Sequence, residues 1–185
     1  MILNQREFRN AIGHFATGVS VIAAQVGDEI HAMTANAVSS LSLDPMLVLF
    51  CPSKTSRFAS FLPELAAFSI NVLREEQQAL SNFFAGAKHD GADPSFRFVR
   101  TNGAPRLEGA LSSLTCDLFK TFDGGDHWIV IGRVTDVHIG TEPRQPLIFF
   151  NGRYRSISLT DESPAPDLAN VNDEPAHIYY DGTEF

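Results

Sequence analysis

The chain has 185 residues, of which 44% are hydrophobic and 15 are Phe, so one domain with a sizeable core is the simplest expectation. The formal net charge is −8, but residues 161–185 hold seven acids and no Lys or Arg, which leaves 15 acids against 14 bases before them. We therefore expect a domain at 1–160 and an acidic tail at 161–185. A nearly neutral body with no apolar segment of membrane-spanning length excludes nucleic acid and bilayer as expected partners.

The cysteine and histidine content points to a reducing compartment and to no metal. Cys51 and Cys116 each lie at or inside an apolar β-like segment, where a free Cys usually behaves as a small buried hydrophobe. With no multi-cysteine framework and no signal-peptide pattern at Met1–Asn4, the cytoplasm is the expected location. The six His are dispersed, without paired Cys/His spacing, so no metal site is predicted.

Taken in chain order, the patterns predict a mainly β domain with flanking helices. Phe8, Ile12 and Phe15 recur at helical spacing and predict a short helix that caps one end of the core. Alternating or apolar runs predict strands at 19–25, 29–34, 46–51, 67–73, 114–122, 127–139 and 147–154. Helices are predicted at 56–62 and 74–84. Because the strands show no regular βαβ alternation, a barrel is favoured over a doubly wound sheet.

The most informative segment is 34–45, a polar, small-residue stretch between two apolar runs. It offers hydroxyls, the amide of Asn36 and backbone N–H groups, all of which suit a flat heterocycle with a phosphate tail. An ordinary Ser/Thr-rich turn would have the same composition, and that alternative stays open.

Two further segments could carry chemistry. His127 shares its strand parity with Ile129 and Ile131 and follows a Gly-rich turn, so it is expected at the mouth of a cavity, where it could donate to a phosphate or relay a proton. A structural His at a strand start is the alternative. Residues 54–57 would form an anion cradle if Ser56 begins a helix, whereas a solvated cap would look the same.

Other signals are weaker or missing. Residues 151–155 place Tyr154 between two cations after an apolar run, a combination that could cover a ring and neutralise phosphate, although a hairpin with solvated Arg tips would look the same. The sequence contains no G-x-G-x-x-G fingerprint, Walker loop or G-x-S-x-G elbow. If the protein is an enzyme, its reactive chemistry is expected to reside in a cofactor.

Several groups of residues, taken in order and spacing, resemble the short-chain flavin reductase family, the reductase partners of two-component flavin monooxygenases. The groups are Phe8–Val19, Met33–Asn36, Ser40–Pro45, Gly125–His127 with Gly132–Val134, and Pro146–Leu147 with Tyr154. The resemblance covers approximately residues 5–158 and leaves the acidic tail outside.

This resemblance implies an FMN-binding split β-barrel of Greek-key type and a homodimer with flavin near the subunit interface. It also implies hydride transfer from NADH or NADPH to FMN, with FAD possible, and delivery of reduced flavin to a monooxygenase component or another acceptor. Two alternatives stay open: a flavin-retaining reductase of ferric chelates or corrinoids, and a flavin-binding module without catalysis.

The resemblance also implies roles for individual residues. The segment that would hold the flavin ring and ribityl comprises Thr34, Ala35, Asn36, Ala37, Val38 and Ser40. The turn that would follow the ribityl phosphate comprises Cys51, Pro52, Ser53, Lys54, Thr55 and Ser56. Phe84 would close one side of the cleft, Tyr154 would line it, and His127 would meet the nicotinamide nucleotide.

One position departs from the pattern of the family. Many relatives have an aliphatic residue in the Pro-x-Leu-Glu-Gly segment, but this chain has Arg106 between Pro105 and Leu107. Its cation would lie near the nicotinamide or the flavin in a catalytic role, or simply on the surface.

Overall fold

The computed structural model describes residues 4–88, 91–101, 103–141 and 144–157. The predicted acidic tail and its boundary at residue 160 lie outside these residues. The α-helices are α1 (Gln5–Ile12) and α2 (Gln78–Phe84), and 3₁₀ helices lie at Phe58–Glu64 and Glu75–Gln77. The strands are β1 (Thr17–Gly18), β2 (Ser20–Val26), β3 (Glu29–Ala35), β4 (Val38–Leu43), β5 (Met46–Phe50), β6 (Ala67–Val72), β7 (Phe98–Val99), β8 (Arg106–Leu107), β9 (Ser112–Gly124), β10 (His127–Ile139), β11 (Ile148–Phe150) and β12 (Arg153–Arg155).

Seven of these strands form one antiparallel sheet in the order β3-β2-β6-β9-β10-β5-β4. The two edge strands, β3 and β4, are separated along the chain only by Asn36 and Ala37. Two residues span a short distance, so the sheet must coil until its opposite edges approach each other at this point. In the described part of the chain no ladder joins β3 to β4, and the coiled sheet is not closed by hydrogen bonds.

Apolar side chains form a core on each face of this sheet. The inner core includes Phe50, Phe68 and Val130, all fully buried, together with side chains of the first 3₁₀ helix. The second core lies on the other face of β2, where Val21 and Leu147 pack with residues of α2. Strand β2 can serve both cores because successive side chains point to opposite faces.

A glycine on β10 marks the tightest point of the inner core. A Cβ at Gly132 would lie 2.4 Å from Cζ of Phe68 and 2.8 Å from Cβ of Cys116. Only a hydrogen fits there, and the Phe68 ring takes the place of the missing side chain against Phe50, with ring centroids 5.0 Å apart.

Most of the strand and helix predictions are confirmed, but the helix expected at 74–84 is a 3₁₀ turn followed by α2, strands β1, β7 and β8 were not predicted, and three further corrections apply. Half of the segment expected as a connection at 34–45 is strand β4, which pairs with β5 along its length. The single strand expected at 147–154 is the hairpin β11–β12, which reverses at Asn151 and Gly152, both with positive φ. The predicted helix at 56–62 is a 3₁₀ helix displaced to Phe58–Glu64, which contains Pro63.

The expectation that the N-terminal helix caps the core is wrong. Helix α1 forms as predicted, with the Asn4 side chain accepting a hydrogen bond from the Arg6 N–H at 2.9 Å. However, α1 buries none of its residues, and Phe8 is 66% exposed. Helical spacing shows that apolar side chains share a face, but it does not identify the surface that this face contacts.

Candidate functional site

The register of the sheet places His127 and the polar segment on the same face. Ile131 of β10 pairs with Leu49 of β5, and Leu49 pairs with Ser39 of β4. Because directly paired residues point to the same side, these three side chains lie on the outer face, opposite the inner core. His127 has the same parity on β10 as Ile131, so it lies on this face too, as its sequence pattern predicted.

A cleft of about 530 Å³ lies on this outer face, and its walls come from three parts of the chain. One wall is α1 and the residues after it, the second is the segment from Asn36 to Ser39 with β5, and the third is the β11–β12 hairpin. The lining residues are Arg9, Ile12, Gly13, Phe15, Thr17, Asn36, Ala37, Val38, Ser39, Leu49, Cys51, Phe149 and Gly152. The volume lies within the range of about 300–1,000 Å³ that is usual for small-molecule sites.

The end of α1 is fixed to the third wall by two contacts. The Asn151 N–H donates to the Gly13 carbonyl at 2.7 Å, and the rings of His14 and Phe150 meet edge to face with centroids 6.1 Å apart. The cleft is therefore part of the folded body and not a gap beside a loose helix.

The chemistry of the lining fits a flat aromatic ligand with polar edges. Ile12, Leu49 and Phe149 supply apolar surface, whereas Arg9 and Asn36 supply a cation and an amide. Within the described residues the Thr17 hydroxyl oxygen is buried and has no hydrogen-bond partner. A buried hydroxyl is costly unless it is bonded, so a polar ligand atom at this wall would be stabilised.

The turn after Cys51 is joined to the β9–β10 turn that precedes His127. The Trp128 N–H donates to the Pro52 carbonyl at 2.9 Å, and the Lys54 N–H donates to the Asp126 carbonyl at 3.0 Å. The Lys54 ammonium forms an ion pair with Asp123 and lies 4.8 Å from the centroid of the Trp128 ring. Lys54 thus links the two turns, and its charge is already matched by a carboxylate.

The hydroxyl groups of this turn are mostly engaged with each other and with the backbone. The Ser53 and Thr55 hydroxyls share a hydrogen bond of 2.9 Å. The Ser56 hydroxyl donates to the Ser53 carbonyl at 2.8 Å and accepts from the Ala59 N–H at 3.2 Å. Ser56 therefore satisfies a backbone donor at the start of the 3₁₀ helix, as the sequence pattern indicated for a helix beginning there.

The imidazole of His127 is oriented by its neighbour. Its Nδ1 lies 2.7 Å from Oδ1 of Asp126, and this hydrogen bond, with the nearby imidazole charge, holds the pKa of Asp126 below its usual range. The Arg9 guanidinium acts on the same carboxylate in the same direction, more weakly. Arg9 lines the cleft, so one residue of the cleft wall acts electrostatically on the Asp126–His127 turn, although the residues of this turn do not themselves line the cleft.

The structure distributes the predicted site residues over several places. Four of them line the cleft: Asn36, Ala37, Val38 and Cys51. Ser40 is not among the residues that line the cleft, and it pairs with Val48, whose side chain belongs to the inner core.

The remaining predicted residues lie beside the cleft or away from it. Thr34 and Tyr154 contact α2 through their hydroxyls. Phe84 belongs to an aromatic cluster with Phe83, Phe96 and Phe98. Arg106 lies on β8, which pairs only with β7 among the described strands. Its charge adds to the effect of Arg97, which holds the pKa of Glu108 below its usual range.

Sequence reasoning missed the wall that α1 supplies. Arg9, Ile12 and Phe15 line the cleft, whereas the apolar pattern of this helix was assigned to the core. Ser39 was missed as well, because the face of an edge strand is set by its partner. Arg9 lies in sequence between Phe8 and Ile12. A cation among the apolar residues of this helix was the signal that could have identified it as a wall of the cleft.

The profile of the flavin reductase like domain matches residues 12–158 of the chain. The chain belongs to the flavin reductase like family. It is 40% identical over 150 residues to the reductase component of 4-hydroxyphenylacetate 3-monooxygenase from Thermus thermophilus, a match that covers 81% of this chain and 95% of that protein. It is 35% identical over 157 residues to the NADH-dependent FMN reductase AsuE2 from Streptomyces nodosus subsp. asukaensis, which covers 82% of this chain and 84% of that protein.

A solved structure resembles this flavin reductase family member over most of the chain. The flavin reductase PheA2 in its native state superposes with a TM-score of 0.79 at 35% identity, and the match covers 84% of this chain and 99% of that one. Among the described residues no helix is long and apolar enough to cross a membrane. In the same residues no three His, Cys, Asp or Glu side chains are grouped as metal ligands would be.

Proposed function

We propose that this protein is an NADH-dependent flavin reductase that passes a hydride to FMN and supplies the reduced flavin to a monooxygenase component. The observation that carries the proposal is the cleft on the outer sheet face, where apolar walls, Arg9, Asn36 and the buried Thr17 hydroxyl meet on the face that His127 also occupies. The names of the relatives support NADH as donor, FMN as acceptor and a monooxygenase as consumer.

In this proposal FMN supplies the electron-accepting ring, and the protein supplies position and polarity. Ile12, Leu49 and Phe149 exclude water from the ring, while the Asn36 amide and the neighbouring backbone groups provide hydrogen bonds. Orientation of two bound reactants can remove about 7–11 kcal/mol from a reaction barrier without any acid or base.

His127 is proposed to contact the nicotinamide nucleotide at the rim of the cleft. Asp126 fixes the imidazole through Nδ1, which leaves Nε2 as the atom that can contact a ligand. The turn at 53–56 is proposed to bind the phosphate of the flavin through its hydroxyls and backbone N–H groups. Lys54 already has Asp123 as partner, so its part in phosphate binding is to hold the turn.

We further propose that the sheet is a split barrel and that two copies form a homodimer with the flavin near their interface. Apolar side chains extend from the cleft across the outer sheet face, among them Ile129 and Ile131 of β10. Phe122, which pairs with Ile129, belongs to the same region and is 43% exposed. A continuous apolar surface of this kind is typical of an interface between subunits. The two free cysteines, Cys51 and Cys116, fit a reducing cytoplasm.

The proposal is tested by steady-state oxidation of NADH and NADPH with FMN and with FAD, each coupled to an oxygenase or to a ferric chelate. NADH oxidation that depends on added FMN and supports the oxygenase is the expected result. Oxidation without added flavin, by protein that stays yellow through gel filtration, would favour the flavin-retaining alternative. Absence of oxidation with every combination of nucleotide and flavin would favour the flavin-binding module without catalysis.

The role of His127 has its own test. His127→Ala is expected to raise the KM for NADH more than it weakens FMN binding, because the imidazole is placed at the nucleotide side of the cleft. His138→Ala, at the exposed far end of the same strand, is the matched control. For Arg106, stopped-flow reduction of bound flavin decides between the two readings: Arg106→Ala slows the limiting rate only if its cation reaches the reacting rings.

A further inference from the structure

A chain of side-chain hydrogen bonds connects three elements behind the cleft. The Thr34 hydroxyl on β3 donates to the Ser81 carbonyl of α2 at 2.7 Å. The Ser81 hydroxyl lies 2.8 Å from the Tyr154 hydroxyl of β12, which donates to Oδ1 of Asn82 at 3.0 Å. Because the single proton of Tyr154 goes to Asn82, Ser81 must be the donor in the bond between the two hydroxyls.

The residues at both ends of this series of hydrogen bonds lie next to walls of the cleft. Thr34 lies two residues before Asn36, which lines the cleft. Tyr154 pairs in register with Phe149 and lies two residues after Gly152, and both of these line the opposite wall. Ser81 is fully buried between them. The hydrogen bonds join positions 47 and 73 residues apart, so α2 ties together two walls that are remote in sequence.

We propose that Thr34, Ser81 and Tyr154 form a brace that sets the width of the cleft, and that Thr34 and Tyr154 are positioning residues that act through Asn36 and Phe149. Their hydroxyls are engaged with α2 and are not free to contact a ligand. A buried donor or acceptor that loses its partner is strongly disfavoured, so the brace resists small separations of the two walls. The identity of the ligand rests on the proposed function, but the brace does not.

The first test needs no flavin, because the cleft contains its own reporter. Cys51 lines the cleft and is half-buried, whereas Cys116 is fully buried and burial raises the pKa of its thiol to about 12. A thiol reagent therefore reports on Cys51, and Cys51→Ser identifies its signal. Tyr154→Phe removes the hydroxyl but keeps the ring against Phe149, whose centroid is 5.5 Å away. Faster labelling of Cys51, by roughly 3- to 10-fold, is expected.

The second test measures binding in the same variants. Tyr154→Phe and Thr34→Val should each raise the Kd for FMN by about 3- to 10-fold, the equivalent of one hydrogen bond. Thr34→Ser keeps the hydroxyl and should restore both affinity and the labelling rate. The limiting rate of flavin reduction at saturating FMN should change much less than the Kd, because neither hydroxyl touches the reacting rings.

Thr135→Val is the control for the loss of a threonine hydroxyl that donates to a backbone carbonyl. Thr135 also donates to a backbone carbonyl, that of Thr115 at 3.2 Å, but it does not line the cleft. It should lower the melting temperature without changing Cys51 labelling or FMN affinity.

Two results would overturn the brace. One is wild-type labelling and wild-type FMN affinity in folded Tyr154→Phe and Thr34→Val proteins. The other is an equal change in Thr135→Val, which would indicate general loosening. If the wild-type protein fails to bind FMN, the proposed function fails, while the labelling rates still decide whether the brace exists.

Discussion

Gly132→Ala is expected to destabilise the protein although it adds a single methyl group. The new Cβ would lie 2.4 Å from Cζ of Phe68, whereas ordinary contacts begin near 3.4 Å, so the two groups must separate by about 1 Å. Neither partner has room to move, because Phe68 is fully buried against Phe50 and the second contact, Cβ of Cys116, belongs to the neighbouring strand. Overpacking of this kind costs about 1–3 kcal/mol.

The assay is reversible urea or thermal unfolding of the flavin-free protein. For a chain of this size each kcal/mol shifts the midpoint by about 2–4 °C, so a decrease of roughly 2–12 °C is expected. Gly18→Ala is the matched control, because a Cβ there meets nothing within 4 Å and the strand backbone accepts it. Gly132→Ala should destabilise the Phe68→Leu variant less than it destabilises the wild-type protein. A Gly132→Ala protein as stable as the wild type would refute the close approach of this strand to the Phe68 ring.

Three further predictions concern the cleft, the turn beside it and the tail. Ser39→Ala should raise the Kd for FMN by about 2- to 10-fold while Ser40→Ala leaves it unchanged, because only Ser39 lines the cleft. Fluorescence quenching measures both Kd values, and a larger effect of Ser40→Ala than of Ser39→Ala would mean that the register of β4 is wrong. Lys54→Met should raise the pKa of Asp123, which the Lys54 hydrogen bond and then the Gly125 N–H hold below its usual range. Since that pKa is depressed, the stabilisation is present above the ordinary value of about 3.9 and is lost as the pH falls through the depressed value. The variant should therefore differ from the wild type least in acid, and an NMR titration of the carboxyl together with pH-dependent melts measures this. Deleting residues 161–185 should leave the melting temperature nearly unchanged but alter the KM for the nucleotide in a salt-dependent manner; a truncated protein that unfolds would place the tail within the folded body.

The sequence by itself was sufficient for most of the strands and for the family. Alternation along β10 placed His127 on the face of Ile129 and Ile131, and the structure confirms that face. Local pattern works here because side-chain direction within one strand follows from chain geometry alone. The polar composition of 34–45 pointed to Asn36, and the family resemblance pointed to Cys51; both residues line the cleft.

The tertiary structure alone decided which surfaces those elements present to each other. The pairing of β4 with β5 selects Ser39 over Ser40 for the cleft, because the face of an edge strand is fixed by its partner. The contact of Gly13 with Asn151 turns α1 into a wall of the cleft and not a cap on the core. The hydroxyls of Thr34 and Tyr154 both form hydrogen bonds with Ser81 of α2, which is 47 residues from Thr34 and 73 residues from Tyr154 in sequence. Such contacts depend on how separate elements pack in space, which local periodicity and composition do not encode.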